Sequence, residues 1–148
     1  MRQGRSRAKD AKDAENSQMK ENEIAKLVVH AALDLHKDLG PGLLESVYEV
    51  LLADALRQLG FEVVRQHPIS ICFRGKRFDE GFRADLIVGG LVLVELKSVE
   101  ALGRVHKKQV LTYLKLTGLK LGLLINFGGD HLKGNIERLV NGLEDSPL

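Results

Sequence analysis

Apolar residues recur at helical spacing from Ile24 onward: Ile24, Leu27, Val28, Ala31 and Leu35 share one face, and Gly40-Pro41 stops the run. A second stripe, Leu44, Val47, Tyr48, Leu51, Leu52, Ala55 and Leu59, predicts a second helix with Gly60 as its C-terminal cap. The period then falls to two. Strands are predicted over 61–65 and 69–73, separated at Pro68, with Arg74-Gly75-Lys76 as a turn. Segments 82–88 and 91–97 predict a hairpin through Gly89-Gly90. The run Leu91-Val92-Leu93-Val94 has no polar alternation, as expected of a central strand covered on both faces. A helix over about 104–117 should end at Gly118, followed by a buried strand over 121–127 and a short helix over about 132–143.

The order is helix, helix, three or four strands in hairpins, helix, strand, helix. It predicts an α/β fold with a mixed sheet flanked by helices, not a regular βαβ array. At 148 residues one domain is expected, large enough to bury a core, and 44% apolar content excludes disorder of the whole chain. Residues 1–20 are set apart, with six Lys/Arg, three Asp/Glu and no aliphatic stripe. They read as a mobile, mildly basic tail, and 21–148 as the single domain. No apolar stretch approaches the roughly 18 residues of a membrane span, and no apolar leader core opens the chain. The lone Cys72 lies in an apolar run and is expected to be buried and inert. A reducing, cytoplasmic compartment is expected. The net charge of +2 decides nothing about partners.

Three charged residues do not belong where they stand. Glu95 and Lys97 continue an aliphatic strand and, two apart, point to one face. Asp85 enters the neighbouring apolar strand. Two carboxylates about 4 Å apart repel by roughly 4 kcal/mol at an effective dielectric of 20. A divalent cation between them turns repulsion into binding, and hard oxygen donors suit Mg²⁺ or Mn²⁺. The competing account is an ordinary Glu95–Lys97 ion pair, with Asp85 capping a turn. Hairpin geometry separates the two. A two-residue loop at Gly89-Gly90 sets Asp85 opposite Val94 and away from Glu95, whereas a shared site requires a bulge or three loop residues.

Asp85 followed by Glu95-Leu96-Lys97 resembles the PD-(D/E)XK nuclease signature. Gly42-Leu43-Leu44-Glu45-Ser46-Val47-Tyr48 resembles the motif of the GxxExxY protein family. The likeness extends over about residues 22–140. It includes Leu39-Gly40-Pro41-Gly42, Phe82-Arg83-Ala84-Asp85 and Leu124-Ile125-Asn126-Phe127-Gly128, with Ala84 in place of the proline. The resemblance implies a restriction-endonuclease-like αβββαβ core. It implies that Asp85, Glu95 and the Leu96 backbone carbonyl bind the metal, that Glu45 completes or supports its shell, and that Lys97 activates water and stabilises phosphate charge.

Gln109 and Tyr113 share a helix face and resemble the Q-x-x-x-Y element of RecB-like members. Residues 101–120 carry Arg104, Lys107, Lys108, Lys115 and Lys120 and no acidic residue, a natural partner for a phosphate backbone. With His106, Gln109 and Tyr113, residues Arg104, Lys107 and Lys108 form the expected nucleic-acid contact, although a solvated helix face and an exposed histidine give the same pattern. The reading is a Mg²⁺-dependent nuclease without a membrane partner. Its alternatives are a catalytically silent nucleic-acid-binding module or a small subunit of a larger assembly, a homodimer included.

Overall fold

The computed structural model describes residues 7–143, with side chains from Lys20 onward. Helices α1 (Arg7–Leu39) and α2 (Glu45–Gln58) lead into strands β1 (Val63–Phe73), β2 (Lys76–Val88) and β3 (Val92–Lys97). Helix α3 (Arg104–Thr117), β4 (Leu121–Asn126) and β5 (Ile136–Val140) follow. The backbone of α1 is helical from Arg7, well before the stripe that begins at Ile24. Residues 1–6 and the side chains up to Met19 lie outside the described residues, and so does the expected mobility of the tail.

The sheet order is β1-β2-β3-β4-β5. Strands β1 to β3 form an antiparallel meander, β4 lies parallel to β3 after the α3 crossover, and β5 is antiparallel to β4. This is the mixed sheet flanked by helices that the sequence predicts. Helices α1 and α2 cover one face through Val28, Leu52 and Leu56 against Leu86, Val94 and Leu96. Helix α3 covers the other through Val110, Tyr113 and Leu114 against Leu93 and Leu124. The aliphatic run of β3 is thereby accounted for, since its alternate residues enter two different cores. Each such side chain contributes roughly 1.5–3 kcal/mol of burial.

Three expectations need correction. The C-terminal segment is strand β5, not a helix over 132–143. Gly134 and Gly142 take positive φ on either side, and pairing along β4 satisfies a backbone edge that a helix would leave open. Pro68 does not divide two strands. It lies within β1, an edge strand, where a missing N–H can face solvent. Cys72 is exposed rather than buried, because its part of β1 runs past the sheet and pairs only with Arg77 on β2.

Candidate metal and nucleic-acid site

The turn between β2 and β3 has three residues. Val88 pairs with Val92, and Gly89 and Gly90 take φ of 61° and 70°, a left-handed conformation that favours glycine. The ladder ends at Leu86 and Val94, so Asp85 comes level with Glu95. The odd-length loop required for a shared site is present.

A second irregularity completes the arrangement. On β2, Leu86 and Val88 enter the α1/α2 core but Ala84 enters the α3 core. On β1, Val63 and Ile69 likewise go to different cores although they are six positions apart, an even offset. Side-chain alternation therefore slips by one on both strands around Gln66 and Asp85. Gln66 absorbs the slip with φ of 51°, costly for a residue with a Cβ.

Freed from the ladder, Asp85 and β3 exchange bonds through side chains. The Asp85 N–H donates to Glu95 Oε1 at 3.0 Å, and the Leu96 N–H donates to Asp85 Oδ2 at 2.8 Å. In an extended strand one residue's N–H and C=O leave on the same edge, so the Leu96 carbonyl also faces the gap beside Asp85. Lys97 and Glu95 share the face that carries Leu93, beneath α3.

The electrostatics are unusual. Glu95 is buried, and desolvation followed by the charge of Asp85 pushes its carboxyl up to about 8, against the lowering effects of the Asp85 N–H and Lys97. Desolvation raises Asp85 as well; the Leu96 N–H opposes this and the charge of Glu49 adds to it. Two carboxyls held together without a cation resist ionisation. The donor set fits a hard divalent ion: two converging carboxylates and a carbonyl on the same edge, with a cation able to replace the proton that the metal-free pair retains. Among the described residues no three His, Cys, Asp or Glu side chains gather into a ligand cluster of their own. Backbone and water oxygens would have to fill the rest of a shell.

The helix carboxylate beside Asp85 is Glu49, which sequence reasoning missed. Glu49 is buried, accepts two bonds from Arg65 at 3.0 and 2.9 Å, and accepts one from Gln66 Nε2 at 2.5 Å. Gln66 Nε2 also lies 3.3 Å from Asp85 Oδ1 and so bridges the two carboxylates. Glu49 precedes Leu52 and Leu56 by three and seven residues, which marks it as inward-facing; nothing in the sequence marks Gln66. Glu45 is exposed and accepts the Ser98 N–H at 3.2 Å, just past Lys97. Tyr48 stacks on Phe127 with centroids 4.3 Å apart, and its hydroxyl donates to the Gly40 carbonyl at 2.5 Å.

Gln109 Nε2 donates to the Tyr113 hydroxyl at 2.5 Å, so the pair does share a face. Burial raises the Tyr113 hydroxyl, and the charges of Glu95 and Asp85 add to that, which ties this pair to the carboxylates. Arg104 and Lys108 are exposed on α3. Lys107 pairs with Glu137 at 3.2 Å, and His106 Nδ1 accepts the Gly103 N–H at 3.0 Å, capping the helix. The buried Asn126 holds the segment after Lys97. Its Oδ1 accepts the Val99 and Gly128 N–H groups, and its Nδ2 donates to the Val99 carbonyl and Asn135 Oδ1, all at 2.9–3.0 Å.

Residues 22–139 match the family model described as the PD-(D/E)XK nuclease superfamily. The chain belongs to that superfamily. No curated protein and no solved structure matches it. PD-(D/E)XK nucleases act on nucleic acid and typically use divalent metal ions. Among the described residues no helix is long and apolar enough to cross a membrane.

Proposed function

We propose that this chain is a metal-dependent nuclease of the GxxExxY type that hydrolyses phosphodiester bonds in nucleic acid. The observation that carries the reading is the reciprocal Asp85–Glu95 pair in the gap where β2 and β3 part, with Lys97 on the face of Glu95. The motif from Gly42 to Tyr48 supports the finer family assignment.

Asp85, Glu95 and the Leu96 carbonyl would hold the ion, with Mg²⁺ or Mn²⁺ favoured by the all-oxygen donor set. Such an ion lowers the pKa of bound water and neutralises charge on a phosphate. Lys97 orients the attacking water and stabilises negative charge developing on the phosphate oxygens. Glu49, locked by Arg65 and Gln66, supports the cation from α2, and Glu45 positions the end of β3 through Ser98. Gln109 and Tyr113 line the α3 side, and Arg104 and Lys108 provide the positive helix face along which a phosphate backbone would run, with Lys107, paired to Glu137, and the capping His106 as its neighbours. The single cysteine, free and exposed, suits a reducing cytoplasm.

The test is divalent-ion binding together with cleavage of labelled DNA and RNA, single- and double-stranded, with Glu95→Ala and Lys97→Ala as controls. Ion-dependent cleavage abolished by both substitutions is expected. Cleavage that survives both refutes the assignment. Ion binding lost in Glu95→Ala, with no cleavage by the native chain, replaces it with a silent binding module.

A further inference from the structure

The β1–β2 hairpin runs on far beyond the sheet it starts from. Strand β3 pairs with β2 only as far as Leu86, while β1 and β2 continue together from His67/Ala84 to the turn at Arg74-Gly75. The seven residues from His67 to Phe73 reach about 20 Å at roughly 3.3 Å each. Only the root of this ribbon is anchored, by Phe82 stacked on Tyr113 with centroids 3.5 Å apart and by the buried Ile69. The ribbon therefore rises from the edge of the Asp85–Glu95 site.

Its tip is chemically uneven. Phe73 is 63% exposed and Phe78 is 55% exposed, and the pairing of Ile71 with Phe78 and of Phe73 with Lys76 sets both rings and Lys76 on one face. The Arg74 guanidinium lies 5.1 Å from the centre of the Phe73 ring. The two acidic residues of the ribbon, Asp79 and Glu80, are occupied by Arg77 and Arg83. Arg74 and Lys76 have no carboxylate partner among the described residues. Two exposed rings beside two cations without carboxylate partners, one of them already over a ring, match an unpaired polynucleotide, whose bases stack on aromatic faces while its phosphates meet the cations.

We infer that the projecting β1–β2 ribbon is a second substrate contact, which grips single-stranded nucleic acid through Phe73, Phe78, Arg74 and Lys76 several nucleotides from the bond at the carboxylates. This rests on the nuclease reading and adds a strand preference and a footprint to it.

The experiment is fluorescence anisotropy on the full chain carrying Lys97→Ala, with Mg²⁺ present. The probes are a single-stranded oligonucleotide of about 16 nucleotides and a blunt duplex of equal length. Adding Phe73→Ala and Phe78→Ala should raise the single-strand Kd by at least about tenfold, with the melting temperature unchanged because both rings are exposed. Arg74→Gln with Lys76→Gln should flatten the log–log salt dependence by about 1.4. If the Lys97→Ala parent binds neither probe, the nuclease reading falls and the arm falls with it. If the parent binds and the ring variant binds equally well, the arm alone is refuted. Equal loss on the duplex overturns the strand preference. A fall from dimer to monomer in sedimentation, with Kd unchanged, assigns the rings to a second copy and overturns the inference.

Discussion

Gln66 lies across from Asp85, between the Arg65–Leu86 and His67–Ala84 pairs of the β1–β2 ladder, and its amide reaches both Asp85 and Glu49. Its φ of 51° is what lets the two strands exchange faces there, so local backbone strain and site geometry have one origin.

Gln66→Gly separates the two contributions. Glycine adopts the left-handed conformation freely, which returns about 1 kcal/mol, but it carries no amide to bridge the carboxylates. Thermal unfolding should show a stability equal to or above that of the native chain, while single-turnover cleavage falls roughly tenfold or more. Undiminished cleavage would reduce Gln66 to a turn residue.

The pair should also write itself into the pH dependence of stability. In the metal-free fold Glu95 keeps its proton up to about 8, whereas in the unfolded chain it releases it near 4.5. The folded state binds the extra proton between those values. Its stabilising effect is complete below the lower value and is lost as pH rises through the upper one. Glu95→Gln cannot ionise, so its stability should gain on that of the native chain across that window, by on the order of a few kcal/mol at most, and its melting temperature should rise accordingly. Added Mg²⁺ should act the other way and stabilise the native chain more as pH rises, because metal and proton compete for the same oxygens. Parallel melting curves for native and Glu95→Gln chains would contradict this account of Glu95.

Asn126 gives a stability prediction with a functional consequence. Asn126→Ala strips partners from the Val99 N–H and C=O, a loss of about 3 kcal/mol or roughly 10 °C in melting temperature. Cleavage measured well below the transition should fall further than unfolding explains, since Val99 fixes the strand end that bears Lys97. Gly128→Ala should do the same by another route. A Cβ there would sit 2.2 Å from the Val99 carbonyl oxygen, and only backbone movement relieves that. Full activity in both variants at low temperature would detach this contact from the site.

These contrasts follow what was and was not legible in the chain. The first three helices, the central strand and a turn at Gly89-Gly90 are local matters of period and glycine chemistry, and the sequence carries them; the odd length of that turn was required only by a shared Asp85–Glu95 site. Asp85, Glu95 and Lys97 stood out because charge inside an aliphatic run is costly. Strand β5 was hidden because Ile136, Arg138 and Val140 read as helix or strand equally well until the open edge of β4 decides. The exposed Cys72 and Phe73 sit in a run whose pattern resembles core. Only the length of the β1–β2 ribbon relative to β3 shows that no third strand covers them. Spacing turns Glu49 inward with Leu52 and Leu56, but its meeting with Gln66 is a matter of tertiary placement, which no spacing rule encodes.

The last contrast concerns the two glutamates of α2. Glu49 is buried, shares Gln66 with Asp85 and adds its charge to that carboxyl. Glu45, one turn earlier, is exposed and bonded to the Ser98 N–H. Glutamine at Glu45 keeps the acceptor that the Ser98 N–H needs, so little but charge is lost; glutamine at Glu49 keeps one acceptor for Arg65 and turns an amide nitrogen toward Gln66, so the charge and the Gln66 bridge are lost together. Calorimetric titration with Mg²⁺ should show Glu49→Gln weakening the ion by about 10- to 100-fold, the range typical of residues that support metal ligands. Glu45→Gln should stay within about twofold, because the Ser98 N–H can bond to the amide oxygen as it does to the carboxylate. If Glu45→Gln instead weakens the ion and Glu49→Gln does not, the GxxExxY glutamate swings toward the cation on binding, and Glu49 serves only to anchor Arg65.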